Sequence, residues 1–250
     1  VLLLLPVVLL RCRAELRRVT ARDLVLCGAS GVLLALHFLT WFESLKRTSV
    51  ASSTVLVSTE VIFTALGFAL FLHGKIPRLG VWAILLAFGG SALLALSGGG
   101  GAGELSGNLL ALAAASAAAV YTLIGRIQRG HLSTTVYTFL TYLACFLTLL
   151  LGTAAAGTPL TGYGGREWLI GLALAVLCTL LGHSLFSWCL KYLSPSYVSA
   201  AKLCEPVFSS LAAIPLFGEV PGPLQLAGGA AVLGAVLLYT WAEREKTPAG

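Results

Sequence analysis

Long apolar runs alternate with short polar breaks along the whole chain. Most runs are about twenty residues, the length a helix needs to cross the hydrocarbon core of a bilayer. Val1–Leu10 (VLLLLPVVLL) is apolar but too short to span, and reads as the end of a truncated helix. RCRAELRRVTARD follows, with five arginines between Arg11 and Arg22. The pattern then predicts membrane helices over Leu24–Leu45, Ser49–Leu72, Leu79–Ser97, Gly107–Gly125, Ser133–Thr153, Trp168–Leu190, Ser196–Phe217 and Leu224–Trp241. Short turns separate them at Lys46–Thr48, His73–Arg78, Arg126–His131, Lys191–Pro195 and around Pro221–Pro223, with a longer loop at Ala154–Arg166. Gly98–Ser106 (GGGGAGELS) reads as a flexible linker. No strand precedes it and no GKS or GKT follows, so it is not a phosphate cradle. Only helices and closed barrels satisfy their backbone in lipid, and runs this long argue for helices.

One predicted helix breaks the apolar rule near its middle. SYVSAAKLCEPVFSSLAAIPLFGE, from Ser196 to Glu219, carries Lys202 and Glu205, with Pro206 directly after the glutamate. A charge at membrane depth costs about 2.5–3.5 kcal/mol on insertion scales, so such a group faces a polar interior. Lys202 and Glu205 are three apart, which on a helix puts them on one face where they compensate each other. Pro206 removes a backbone donor and is expected to act as a hinge. Two readings stay open: an ion pair that only fixes packing, and a substrate or ion path. Ser49–Leu72 is similar, polar in its first half and bearing Glu60 mid-span.

Composition strengthens this picture. The chain has 250 residues, 58% hydrophobic and only 10% charged, with mean hydropathy +0.93. Soluble domains carry about 25% charged residues, so the surplus apolar surface has to face lipid. The six cysteines form no CxxC pair or metal spacing and read as packing residues. The net charge of +6 does not indicate nucleic acid, because the basic residues lie in short loops, where they set orientation.

The chain also matches itself. At an offset of 145 residues Glu60 falls on Glu205, Leu45-Lys46 on Leu190-Lys191, Phe63 on Phe208, Leu79 on Leu224 and Gly89 on Gly234, without a gap. The intact unit is then five helices plus five, with the first helix and most of the second missing before Val1. An odd helix count makes the two copies insert in opposite senses. With the Arg11–Arg22 loop inside, twelve basic residues lie inside, Lys46, Arg47 and Arg166 lie outside, and Lys202 lies within the membrane. That obeys the positive-inside rule. Inverted repeats are a mark of secondary transporters, whose sites sit near the midplane between the repeats.

LHFLTWFESLKRTSVASSTVLVSTEVIFTALG, with its echo GHSLFSWCLKYLSPSYVSAAKLCEPVFSSLAAIPLFGE, resembles the drug/metabolite transporter superfamily, in particular its EamA-domain proteins. The resemblance implies an all-α polytopic membrane protein of ten helices in two inverted five-helix repeats, here residues 1–97 and 107–241, with a linker over 98–106 and a cytoplasmic tail over 242–250. It implies a cavity lined by Leu24–Leu45, Ser49–Leu72, Trp168–Leu190 and Ser196–Phe217. These carry His37, Glu43, Glu60, His183, Lys202 and Glu205. The family usually has a proline after the position of Glu60; Val61 stands there, so the first-half kink is expected to be absent.

The expected activity is secondary transport, in the export direction, of a small polar organic metabolite such as an amino acid or drug-like compound, by alternating access. The binding residues would be Glu60, Glu205, Lys202, His37, His183, Trp41 and Trp188, with Lys202 holding Glu205 charged as an anchor for a substrate amine, or itself holding a carboxylate. No catalytic residue, metal or cofactor is expected. The partners are the substrate, the bilayer, a coupling proton and a second copy in a homodimer, but no nucleic acid. The location is a bacterial inner membrane with the C-terminus cytoplasmic. An organic-anion or nucleotide-sugar exchanger is the alternative, though it calls for clustered Lys or Arg and only Lys202 qualifies. A membrane enzyme built on His183-Ser184 or His37 is disfavoured: the one aspartate, Asp23, is placed in a loop, and there is no GxSxG or HExxH.

Overall fold

The computed structural model describes residues 1–48, 50–96, 105–205, 207, 208, 211, 214, 215 and 222–244. Pro206, most of the linker and the end of the tail lie outside the described residues. Among the described residues the regular structure is helical throughout: α1 (Leu4–Arg11), α2 (Arg13–Leu16), α3 (Ala21–Arg47), α4 (Val50–Ser58), α5 (Glu60–Phe71), α6 (Arg78–Leu96), α7 (Leu105–Gln128), α8 (Thr134–Ala155), α9 (Gly165–Ala173), α10 (Ser184–Cys189), α11 (Pro195–Lys202) and α12 (Pro223–Arg244). A π-helical stretch, Leu174–His183, joins α9 to α10. Among the described residues six helical stretches are long and apolar enough to cross a membrane: Ala21–Arg47, Ser53–Phe71, Leu105–Gln128, Thr134–Ala155, Gly165–Cys189 and Pro223–Ala242. Many large apolar side chains on them point outward, among them Leu70, Phe71, Trp168, Leu169 and Leu237. Outward apolar surface on this scale has lipid as its solvent, and the molecule is an all-α polytopic membrane protein.

Three expectations need correction. The first concerns Asp23, which is not in a loop. It sits in the first turn of α3, buried, and forms a reciprocal cap with Thr20. The Thr20 N–H donates to Asp23 Oδ2 at 3.0 Å, and the Asp23 N–H donates to Thr20 Oγ1 at 3.2 Å. This capping box satisfies two donors that a helix start leaves open, which is why α3 begins three residues earlier than its apolar pattern.

The second concerns the helix around Glu60, which is interrupted without a proline. The Thr59 N–H bonds the Leu56 carbonyl at 3.1 Å, a three-residue step in place of four, and the Ile62 N–H bonds the Thr59 carbonyl at 2.9 Å. Hydroxyls compete for the same carbonyls: Ser58 Oγ donates to Thr54 O at 2.7 Å and Thr59 Oγ1 to Leu56 O at 2.6 Å. Local side-chain bonding of this kind loosens a helix ladder. The second copy repeats the break bond for bond. The Cys204 N–H reaches Ala201 O at 3.1 Å, and the Val207 N–H reaches Cys204 O at 3.0 Å. Each of these residues lies 145 positions after its counterpart, the offset of the repeat.

The third follows from the second. α11 ends at Lys202, with a turn at Leu203 and Cys204 before Glu205. Lys202 and Glu205 therefore do not share one helical face, and Lys202 takes another partner.

The chain divides into two compact units, each drawing on both halves of the sequence. The first contains Val1–Leu36 and Val120–Ser194. Its core gathers Cys27, Leu132 and Tyr137, and the Tyr137 hydroxyl meets Ser30 Oγ at 2.8 Å. The π-helical stretch leaves a carbonyl that Tyr142 takes up, its hydroxyl donating to Thr179 O at 3.0 Å. The second unit contains His37–Ala119 and Pro195–Gly250. α5, α6, α11 and α12 bury Val61, Ala65, Ala83, Ile84, Ala87, Ala200, Leu203, Val232 and Tyr239 in one cluster. A Cβ built on Gly234 meets nothing within 4 Å, and the same holds for its repeat mate Gly89.

The Asp23 cap reaches further than its own helix. Gln128 Nε2 donates to Asp23 Oδ1 at 3.2 Å, and His131 Nε2 lies 2.7 Å from the same oxygen. Replacing Asp23 by Ala removes the cap and the bonds to Gln128 and His131, and should cost about 2 kcal/mol of stability. Thermal unfolding in detergent checks this; an unchanged midpoint would mean that α3 is held without its cap.

Candidate functional site

The charged centre of the second unit forms where α5 begins and α11 ends. Lys202 Nζ donates to Glu60 Oε1 at 2.6 Å, and both side chains are largely buried, 15% and 11% exposed. The partners are 142 residues apart in sequence and stand on the repeat-related helices, each beside its break. α5 and α11 pack against one another with Val61 and Ala65 near Ala200 and Leu203. A buried ion pair of this kind is costly to desolvate, and its attraction is strong only because the geometry is close.

His37 lies buried on α3 in the same unit. Its Nδ1 sits 3.0 Å from the Ala114 carbonyl on α7. A carbonyl only accepts, so Nδ1 carries the hydrogen and Nε2 is the remaining polar atom. The ring stacks on Trp41, with centroids 5.8 Å apart, and Glu60 and Lys202 both act on it through space. Trp41 also stacks on Phe42 at 5.7 Å. Glu205 is exposed and makes no ion pair among the described residues, although it feels the charges of Lys202 and Glu60. Glu43 belongs to the end of α3: Arg47 and Lys46 hold its carboxylate at 2.7 Å and 3.1 Å, all three being substantially exposed. It is a helix-end pair with the basic residues beside it, not a cavity residue.

The remaining expected residues belong to the first unit. His183 ends the π-helical stretch with its ring edge-on to Tyr121, centroids 6.0 Å apart. Trp188 is exposed on α10 beside Tyr192, at 5.1 Å. The chain therefore brings together Glu60, Lys202, His37 and Trp41 in one unit and holds His183 and Trp188 in the other.

Sequence reasoning missed a polar cleft of the first unit, a cavity of about 270 Å³ lined by Glu15, Arg129, Gly130, His131, Leu132, Ser133 and Lys191. Arg129 is buried there. Its Nε donates to Ser187 O at 3.0 Å and its Nη1 to Leu132 O, while Glu15 accepts the Ser133 N–H at 2.5 Å. Burial lowers the Arg129 guanidinium from its ordinary value, but an arginine keeps its proton at neutral pH. These groups bind the α7–α8 turn to α2 and α10. The available signal was their crowding into three short breaks of an apolar chain.

Comparison with known proteins agrees with this architecture. The pseudopaline exporter CntI of Pseudomonas aeruginosa is 24% identical over 207 residues, 83% of this chain and 72% of its own length. A Streptantibioticus cattleyicolor protein named "Probable terminal-alkyne amino-acid exporter" is 28% identical over 233 residues, 89% of this chain and 75% of its own. A solved crystal structure superposes with a TM-score of 0.73 over 94% of this chain and 84% of that chain, at 21% identity, and so shares the fold. The model of the EamA-like transporter family matches residues 1–96 and 105–241, and the chain belongs to that family.

Proposed function

We propose that the protein is a secondary active exporter of a small polar organic metabolite, working by alternating access across a bacterial inner membrane with its C-terminus in the cytoplasm. The observation that carries this reading is the Glu60–Lys202 pair, two charges from repeat-related helices that meet beside matching helix breaks. Charges at membrane depth mark substrate or ion paths, and broken helices in corresponding positions of two repeats mark the site in transporters. The relatives support it, one being named for pseudopaline export and another for export of an amino acid. Residues 1–97 and 107–241 act as the two repeats, and the breaks at Thr59 and Cys204 serve as their hinges. A coupled proton drives the cycle, and parting the Glu60–Lys202 contact opens the path through the unit.

Cells that express the protein should tolerate a higher external load of toxic amino-acid analogues than cells with an empty vector, and a proton uncoupler should abolish the difference. Equal tolerance across amino acids, nucleosides and cationic drugs would overturn the export assignment.

A further inference from the structure

The polar cleft of the first unit holds positive charge that its own acid does not answer. Arg129 lines it and is 3% exposed, yet among the described residues no carboxylate lies within ion-pair distance of it. Carbonyls accept from Nε and Nη1, at Ser187 and Leu132. An arginine carries five donors, and Nη2 bonds nothing among the described residues. Carbonyls satisfy hydrogen bonds without cancelling a charge, and a buried ion without a counter-ion is costly. Glu15 shares the cleft and acts on Arg129 through space, but its Oε1 is taken by the Ser133 N–H at 2.5 Å. Lys191 lines the same cleft, exposed and outside any ion pair among the described residues. His131 is already engaged, its Nε2 lying 2.7 Å from Asp23 Oδ1.

We infer that this cleft is a binding site for an anionic phosphate group, carried by the headgroup of a negatively charged phospholipid or by a soluble phosphate ester. The inference does not rest on the export reading; it needs only a chain that crosses a bilayer. Phosphate oxygens only accept, and a guanidinium meets two of them at once while a lysine adds a point charge. The cleft also opens on the start of α8, a helix of 22 residues whose N-terminal end is partly positive. Its volume of about 270 Å³ lies below the range of drug-sized ligand pockets, about 300–1,000 Å³, and suits one compact group. Its depth points to lipid as the source. Gly130–Ser133 lie between the spans Leu105–Gln128 and Thr134–Ala155, Lys191 follows the span Gly165–Cys189, and Glu15 precedes the span Ala21–Arg47. The cleft therefore stands where spans end, at the level of the headgroups. Around Glu15, Arg11, Arg13, Arg17, Arg18 and Arg22 are exposed and outside any ion pair among the described residues. Basic clusters of this kind at a membrane border attract anionic lipid. Leu9 and Leu10, exposed at the end of α1 just before these arginines, offer apolar surface to the acyl chains.

Melting temperature, titrated on the purified protein in an uncharged detergent, tests the inference with three probes: dioctanoyl phosphatidylglycerol, dioctanoyl phosphatidylcholine and glycerol phosphate. Phosphatidylglycerol should raise the melting temperature and phosphatidylcholine should not. A response to phosphatidylglycerol alone assigns the site to lipid, and a response to glycerol phosphate at the same concentration assigns it to a soluble ester. No response to either, or an equal response to phosphatidylcholine, would overturn the site. Arg129→Gln endangers the fold because two carbonyls depend on that side chain, so Lys191 and Glu15 carry the mutational test. Lys191→Gln should weaken phosphatidylglycerol binding about fivefold, the worth of one charge at a bilayer surface. Glu15→Gln keeps an oxygen for the Ser133 N–H but removes the negative charge from the cleft, and should tighten binding about fivefold. Arg166→Gln is the control. It loses the same charge as Lys191→Gln, at the opposite end of the span Gly165–Cys189, and should bind as the parent does. Equal weakening by Lys191→Gln and Arg166→Gln would mean attraction by net charge alone and no site in the cleft. A cleft that only fastens the α7–α8 turn would give less stable ligand-free variants with an unchanged lipid response, and would overturn the inference as well.

Discussion

Lys202→Met, with Glu60 left in place, should abolish export and cost about 3–5 kcal/mol of stability, the penalty for a buried charge that has lost its partner. Glu60→Gln alone should behave in the same way, breaking the pair from the other side. The double variant, Glu60→Gln with Lys202→Met, should regain most of the lost stability, because no charge then remains to be solvated. It should not regain export. Two readouts are needed: thermal unfolding in detergent for the fold, and substrate uptake into inside-out vesicles for transport. The difference between the double variant and the sum of the singles measures the coupling of the pair. A 2.6 Å contact between side chains only 15% and 11% exposed should couple strongly. If Lys202→Met were as stable as the parent, Glu60 would be hydrated in the folded state and the pair would not be the closed centre described above. If the double variant transported normally, the pair would serve packing alone.

What the sequence could show of this centre, and what it could not, follows from where the information lies. Long apolar runs set the spans, and most observed helix ends fall within about three residues of those read from the pattern. Ser133, expected as the first helical residue of its span, is instead the cap of α8, its hydroxyl accepting the Val136 N–H at 3.2 Å. The 145-residue offset was legible too, but the reading expected a kink only in the second copy, at Pro206, and not the matching break before Glu60. The break itself was not legible by proline logic. In the first copy the hydroxyls of Ser58 and Thr59 bond carbonyls of the ladder, a weak signal in the sequence, and at the matching Leu203 and Cys204 there is no such signal. The pairing of Lys202 was misread because the three-residue rule holds only on an unbroken helix. Its true partner is set by the packing of α5 on α11, between residues 142 apart, which no local pattern encodes. The Asp23–His131 contact was hidden for the same reason, spanning 108 residues. Helices with lipid on one side and helices on the other are apolar all round, so their buried faces leave little periodicity to read.

That loss of pattern also makes the glycines hard to rank from sequence, and the structure separates them sharply. A Cβ built on Gly31 would strike the Thr141 carbonyl oxygen and lie 2.5 Å from Ala144 Cβ and 2.8 Å from the Cys145 nitrogen. One on Gly90 would lie 2.8 Å from the Gly228 carbonyl oxygen, 3.0 Å from Ala231 Cβ and 3.1 Å from Val232 Cγ2. Three of these obstacles, Thr141 O, Cys145 N and Gly228 O, are backbone atoms of a facing helix, which cannot turn aside as a side chain can. Close backbone approach through small residues is how helices associate in lipid, where no hydrophobic force drives them together. Gly31→Ala and Gly90→Ala should therefore each cost about 1–3 kcal/mol by overpacking. Gly31→Leu and Gly90→Leu should separate α3 from α8, or α6 from α12, and leave no folded protein to extract. Gly89→Ala and Gly234→Ala are the controls. They occupy repeat-related positions with open space around the added methyl, and alanine suits a helix better than glycine by about 0.5–1 kcal/mol. Melting temperature and monodispersity on size exclusion, read side by side for all six variants, test the contrast. If Gly31→Ala and Gly234→Ala melted together, the α3–α8 contact would be too loose to hold the first unit, and its cohesion would rest on the Ser30–Tyr137 bond and the Asp23 network instead.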